Sequence, residues 1–142
     1  MRRNMRGFTL IEVMVVVVIL GILAAFVVPQ IMSRPDEAKM VKAQQDVIRI
    51  ESALDLYRLD NGQYPTQAQG LAALVQKPNM PPVPTHYNAS AYLKRLPKDP
   101  WGHDYQYRNP GIYGDIDVFS FGADGREGGE GVDRDIGNWQ AS

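Results

Sequence analysis

The residues best equipped for chemistry lie near the C-terminal end. There Ser120-Phe121-Gly122-Ala123-Asp124-Gly125-Arg126-Glu127-Gly128-Gly129-Glu130-Gly131-Val132-Asp133-Arg134-Asp135-Ile136 interleaves acids with glycines. Apolar burial cannot hold such a segment, and the acids Asp124, Glu127, Glu130, Asp133 and Asp135 repel one another. A hard cation would remove that repulsion. Calcium takes about six to eight oxygens from carboxylates and backbone carbonyls, and flexible glycines let carbonyls turn inward. A solvated acidic loop has the same composition, so the residues alone leave both readings open. An EF-hand is excluded. Asp124 to Asp135 has the correct loop length and Gly129 falls at the turn glycine, but Arg126 and Gly128 stand where oxygen side chains are required. The last position is also Asp instead of Glu.

A second chemical feature is a lone carboxylate in hydrocarbon. From Phe8 to Val28 the only charge is Glu12, and Arg2, Arg3 and Arg6 precede the run. As a helix, Phe8–Val28 would span about 31 Å, close to a bilayer core. The valines of Val15–Ile19 are poor helix formers in water, but in lipid each backbone N–H must find its partner within the segment. The arginines should stay cytoplasmic and send the rest of the chain across. A conventional signal peptide cut near Ala25 and a plain uncleaved anchor both fit this outline. Neither has a use for Glu12, since a carboxylate inside an apolar segment is costly and usually functional.

Other chemistries find little support. The chain has 142 residues, 15 Lys+Arg against 16 Asp+Glu, no cysteine and two histidines. A formal net charge of -1 argues against a bulk nucleic-acid binder. Without cysteine there are no disulfides, thiolate metal sites or thiol nucleophiles. His86 and His103 sit in loop-like segments, and Asp104 beside His103 reads as a turn pair, not a catalytic dyad. Mean hydropathy is -0.28 despite the apolar N-terminus, so the remainder is polar and lives in a different solvent.

The elements that position these features follow from periodicity. Pro29 and Pro35 should kink or loosen the helix, and Gly21 weakens it. Met40, Ala43, Val47, Ile50, Leu54 and Tyr57 recur at steps of three and four, an apolar stripe on one helix face. Asn61-Gly62 ends the helix, with Gly62 suited to a left-handed position. Thr66-Gln67-Ala68-Gln69 fits a capping box that opens a short helix through about Val75. Lys77 to Pro84 is a proline-rich loop, Tyr92–Leu96 returns toward structure, and Asp99-Pro100-Trp101-Gly102 is a tight turn. Tyr105–Arg108 and Asp115–Phe121 read as strands joined through Asn109-Pro110-Gly111. The aromatics Trp101, Tyr105, Tyr107, Tyr113, Phe119 and Phe121 read as core and cross-strand packing.

Gly7-Phe8-Thr9-Leu10-Ile11-Glu12-Val13, with its basic leader and apolar continuation, resembles the GFTLIE signature of type IV pilin-like proteins. The resemblance implies that a prepilin peptidase cuts after Gly7 and methylates the new N-terminus at Phe8. It implies that Glu12 pairs with a neighbouring subunit's N-terminal amine. Opposite charges in hydrocarbon attract strongly if they can meet, so the pair would set the register of a filament. Further along, Tyr64-Pro65-Thr66, Gln69-Gly70-Leu71, Leu96-Pro97-Lys98-Asp99-Pro100-Trp101-Gly102 and Tyr105-Gln106-Tyr107 are similar to the G-type major pseudopilins of type II secretion. The match extends over nearly the whole chain. Type IV pilins usually close their C-terminal region with a disulfide, which this chain cannot form.

That family has its own calcium site. The resemblance places its first acidic ligand at Asp124 and its last at Asp135. Carbonyls near Phe121 and Arg126 contribute, Asp133 is a further candidate, and Glu127 and Glu130 rank after it. Ile136 and Trp139 would pin the loop's far end. The implied architecture is α+β and pilin-like: a long N-terminal helix packed on a small antiparallel sheet with a C-terminal calcium loop. Residues 1–7 are the leader, 8–31 the transmembrane and assembly helix, and 32–142 the periplasmic domain. The implied function is a non-enzymatic structural subunit of the periplasmic pseudopilus, which helps export folded proteins across the outer membrane. The subunit would be single-pass in the bacterial inner membrane and would form a homo-oligomeric filament. Its other partners would be minor pseudopilins, the prepilin peptidase and an inner-membrane assembly platform, with no nucleic acid. A type IV pilin for adhesion, motility or DNA uptake, and a membrane-anchored periplasmic enzyme, are the alternatives.

Overall fold

The computed structural model describes residues 6–140, the side chains of 27–33 excepted. Arg2 and Arg3 of the leader lie outside the described residues. The chain divides into two units, residues 1–36 and 37–142.

Helix α1 begins at Leu10 in the first unit and ends at Asn61 in the second. Pro29 and Pro35 therefore lie inside the helix, and the side chain of Pro29 is outside those described. From Phe8 to Phe26 every side chain is exposed. Among the described residues no helix is long and apolar enough to cross a membrane. The described apolar side chains stop at Phe26, while the apolar run in the sequence continues through Val28.

In the second unit the expected stripe is the core face of α1. Ala43, Val47, Ile50, Leu54 and Tyr57 are buried, Ala53 joins them, and Met40 is half-buried at the edge. All of these but Ala43 and Met40 pack with Leu71, Leu74, Leu93, Tyr105, Tyr107, Ile116 and Val118 in one hydrophobic cluster. Gly62 ends the helix at φ +81°, and its N–H donates to the Arg58 carbonyl at 2.7 Å, the left-handed closure expected of it.

Three strands form one antiparallel sheet in the order β1 (Gln106–Arg108), β2 (Asp117–Ser120), β3 (Ile136–Gly137). Gln106 faces Phe119 and Arg108 faces Asp117; Phe119 and Ser120 face Gly137 and Ile136. All of β2 is buried. Val118 belongs to the helix-side core, while Phe119 lies under the Arg108 guanidinium and against Phe121 and Trp139. Central position and cover on both faces explain why even Asp117 and Ser120 are out of water.

Several expectations are corrected. The helix expected from Thr66 to Val75 is a turn followed by a 3-10 helix over Leu71–Leu74. The capping box is present: Gln69 Oε1 accepts the Thr66 N–H at 3.0 Å, and Thr66 Oγ1 accepts the Gln69 N–H at 3.2 Å. Gly70 at φ +60° then breaks the helical path. Tyr92–Leu96 forms no regular element; the Tyr92 and Leu93 N–H groups donate to the Leu74 carbonyl at 2.9 and 3.0 Å. The two expected strands are shorter than read, and β3 was not expected, because a pair of residues carries no periodicity. Tyr113 is 62% exposed and not core.

Candidate functional site

Two regions hold the residues singled out for chemistry, one in each unit. In the first, Gly7 and Phe8 precede α1 in an irregular, exposed segment, with Phe8 88% exposed. Glu12 sits in the first turn of α1. Its Oε2 accepts the Thr9 N–H at 2.9 Å and the Thr9 hydroxyl at 3.1 Å, and Thr9 Oγ1 accepts the Glu12 N–H at 3.3 Å. This is a capping box, with the carboxylate also placed at the positive end of the helix dipole. Reading the sequence for a charge in hydrocarbon passed over Thr9; the Thr-x-x-Glu spacing was the signal. Without a partner subunit, Glu12 satisfies the orphan donors of its own helix. The segment joining Gly7 to Phe8 is free of regular structure.

In the second region the acidic segment leaves β2 and returns as β3. Its ends are fastened: the Ala123 N–H donates to the Val132 carbonyl at 2.8 Å. Five glycines, Gly122, Gly125, Gly128, Gly129 and Gly131, have positive φ. The requirement is sharpest at Gly122 and Gly129. A Cβ on Gly122 would lie 2.6 Å from the Arg134 carbonyl oxygen and 2.8 Å from that of Val132, and one on Gly129 would lie 2.6 Å from that of Asp133. Backbone carbonyls crowd these glycines, so no side chain fits.

Asp124 and Arg126 are exposed, whereas Phe121, Asp133 and Asp135 are half-buried. Asp124 Oδ1 accepts the Arg126 N–H at 3.1 Å, and both Asp135 oxygens accept the Gly128 N–H at 3.1–3.2 Å. Asp133 ends the 3-10 turn Gly131–Asp133. Glu127 is drawn away to Arg108 at 3.2 Å. Among the described residues no group of three or more His, Cys, Asp or Glu is disposed to hold a metal. A cation here would therefore need backbone carbonyls to complete its shell. The oxygen-only donor set of Asp124, Asp133 and Asp135 fits calcium and suits no softer metal. Each carboxylate oxygen keeps a lone pair beyond the hydrogen bond it accepts.

One constellation imitates a catalytic triad. Asp99, 4% exposed, lies 3.7 Å from His103 Nδ1, and Ser120 is buried beside it. The wiring is wrong for catalysis, because the Ser120 hydroxyl donates to Asp99 Oδ2 at 2.7 Å and not to the imidazole. Asp99 Oδ1 meanwhile accepts the Trp101 and His103 N–H groups at 3.1 and 2.8 Å. Ser120 Oγ accepts the Gly122 N–H at 3.1 Å, so Asp99 organises the tight turn and the root of the acidic loop together. Asp104 is not the turn residue expected: it bridges Lys98 in an isolated antiparallel pair, and its carboxylate pairs with Lys98, not with His103, at 3.0 Å.

The buried tyrosines are structural. Tyr105 donates to Asp46 Oδ2 at 2.8 Å, and Tyr107 to the Pro65 carbonyl at 2.7 Å. Burial pushes both hydroxyls above the usual phenol range, that of Tyr107 up to about 12.

The family model for type II secretion system protein G matches residues 30–139. The chain belongs to that family. A prokaryotic N-terminal methylation motif matches residues 2–28. The type II secretion system core protein G of Pseudomonas aeruginosa is 61% identical over 138 residues, covering 97% of each chain. That of Vibrio cholerae is 61% identical over 137 residues, covering 96% of this chain and 93% of the relative. The crystal structure of the major pseudopilin from the type 2 secretion system of enterohaemorrhagic Escherichia coli superposes with a TM-score of 0.71 at 52% identity. That match covers 78% of this chain and 91% of the other. The protein G family thus accounts for the long helix, the small antiparallel sheet and the processing signature in one chain.

Proposed function

We propose that this chain is the major structural subunit of a type II secretion pseudopilus, held in the inner membrane until it assembles into a periplasmic filament that helps export folded proteins across the outer membrane. The observation that carries the reading is end-to-end likeness to core protein G, 61% identity over 97% of both chains, together with the intact Gly7–Glu12 signature. In this reading residues 8–31 anchor the subunit and later pack in the filament, and residues 32–142 lie in the periplasm. Cleavage after Gly7 frees the Phe8 amine. Glu12 then exchanges its bonds to Thr9 for the amine of a neighbouring subunit, so that subunits add in one axial register. The chain acts by assembly and performs no reaction itself; the buried Ser120 and the committed Asp99 support that view.

The acidic loop completes the proposal. Asp124, Asp133 and Asp135, with the carbonyls of Phe121 and Arg126, would hold calcium, whose charge would neutralise the clustered acids. The protein's own residues close the loop ends through the Ala123 N–H and the Val132 carbonyl.

The test is complementation. A strain lacking this chain should stop secreting its exoproteins and recover with the wild-type gene. Glu12→Ala should be made, inserted and stable, yet restore neither filaments nor secretion. Normal filaments from Glu12→Ala would remove the registry role. Normal secretion in the deletion strain would overturn the functional reading itself.

A further inference from the structure

Two large apolar side chains are held rigidly in water at the tip between β1 and β2. Ile112 is 69% and Tyr113 62% exposed. Their backbone is nevertheless tightly fixed. The fully buried Asp117 carboxylate accepts the Ile112 N–H at 2.7 Å and the Tyr113 N–H at 3.2 Å. Gly111 is closed in, since a Cβ there would lie 2.5 Å from the Gly114 carbonyl oxygen. The Tyr113 ring stacks on Trp139 at 4.2 Å between centroids. A buried charge thus holds in place a segment whose side chains point outward. Rigid, exposed aromatic and aliphatic groups are the anchors that association uses, because little entropy is lost when they dock.

On another face of the same unit is a cleft of about 760 Å³ whose lining includes Leu96 and Pro97. Arg49, Lys94 and Arg95 line it. Lys42 and Lys98, also in its wall, are paired with Asp46 and Asp104. Arg49, Lys94 and Arg95 have no ion pair among the described residues. A cleft that sets Leu96 and Pro97 among unpaired cations suits an aromatic ring accompanied by an acid, through cation–π and charge attraction. The Ile112–Tyr113 tip has that composition: Asp115 beside it is 82% exposed, and its ion pair with Arg58 is long at 3.7 Å.

The two surfaces lie on opposite flanks of α1. At about 100° per residue, Glu51 and Arg58, on the tip side, are roughly half a turn around the helix from Lys42, Asp46 and Arg49. They cannot meet within one copy. Between copies they make a heterologous contact, which repeats into an open chain instead of closing as a dimer.

We propose that the Ile112–Tyr113 tip of one copy seats in the Leu96–Pro97 cleft of a second, a head-to-tail contact between the soluble units of the filament. The inference rests on the filament reading above and adds the surface by which neighbouring soluble units hold each other.

The chain has no cysteine, so engineered pairs can be read without background. The full-length protein would carry Leu96→Cys with Tyr113→Cys, or Pro97→Cys with Ile112→Cys, and be oxidised in cells that form the filament. The expected result is a ladder of disulfide-linked multimers beyond the dimer for at least one pair, and no ladder for any single variant. Tyr113→Ala and Arg95→Glu should each lower filament yield at least several-fold, and Tyr113→Phe should not. Filaments that assemble normally with neither pair cross-linking, or that ignore both Tyr113→Ala and Arg95→Glu, overturn the contact alone. If the wild-type chain forms no filament, the filament reading fails and the contact fails with it.

Discussion

Asp99 offers the sharpest energetic test of how the soluble unit is held together. Replacing it with alanine removes the acceptor for three donors: the Trp101 N–H at 3.1 Å, the His103 N–H at 2.8 Å and the Ser120 hydroxyl at 2.7 Å. Hydrogen bonds to a charged group contribute about 1.5–3 kcal/mol each. Against this stands the cost of keeping a carboxylate out of water, several kcal/mol, which the alanine no longer bears. The Ser120 hydroxyl can turn to another acceptor, whereas the two backbone donors cannot move without opening the turn. The net loss is therefore about 3 kcal/mol. For a unit of this size, about 4–5 °C of melting temperature follows each kcal/mol, so the midpoint should fall by roughly 12–15 °C. The assay is thermal unfolding of a soluble fragment starting at Glu37, followed by circular dichroism. Asp99→Asn keeps one acceptor and the volume, and should lose less than half as much. A variant Asp99→Ala that melts within a few degrees of wild type would refute the reasoning: the carboxylate's desolvation would then cancel its bonds, and the turn would be held by its backbone alone.

Other outcomes are open to direct measurement. Intact-mass analysis of membrane-extracted protein should show a chain beginning at methylated Phe8; an N-terminus near Phe26 would indicate an ordinary signal peptide instead. Calcium should raise the melting midpoint of the Glu37 fragment, by an amount equivalent to about 2.7 kcal/mol at a hundredfold excess over the dissociation constant. Chelation should reverse the rise, magnesium should not replace calcium, and Asp124→Ala should melt at the chelated value whatever is added. Identical melting with calcium and with chelator would leave a solvated loop. Because folding raises the Tyr107 pKa from about 10 to about 12, it favours the neutral phenol. Its stabilising contribution is complete below pH 10 and is lost as pH rises through 12. The urea midpoint should fall across that window, and less steeply in Tyr107→Phe. At neutral pH that variant should lose only about 0.5–1.5 kcal/mol, since Asn109 Nδ2 still donates to the Pro65 carbonyl at 2.8 Å.

What the sequence by itself determined is what local geometry determines. The apolar residues of α1 recur at helical spacing, so their burial follows once any core exists, and Ala43, Val47, Ile50, Leu54 and Tyr57 are its inner face. Gly62 stops the helix because a left-handed residue is cheapest as glycine. The turn at Asp99–Gly102 forms as its residue types require, with the Gly102 N–H donating to the Asp99 carbonyl at 3.0 Å. The N-terminal signature is a contiguous string, and its family was legible without any fold. The acidic loop was legible as a composition, and its candidate ligands only through the family resemblance. The tertiary structure decided everything that depends on distant partners. β3 is two residues long and exists only because Phe119 and Ser120 offer it an edge. Asp99 and Asp117 looked like ordinary turn and strand acids. Both are buried because the backbone donors of Trp101, His103, Ile112 and Tyr113 converge on them. Tyr113 looked like core, but the sheet's far face was already filled by Phe119, Phe121 and Trp139. Asp117 then turned the tip outward over Trp139. Periodicity records which face of an element is apolar. Whether a polar group can leave water, or an apolar one must stay in it, depends on what the rest of the chain brings to that point.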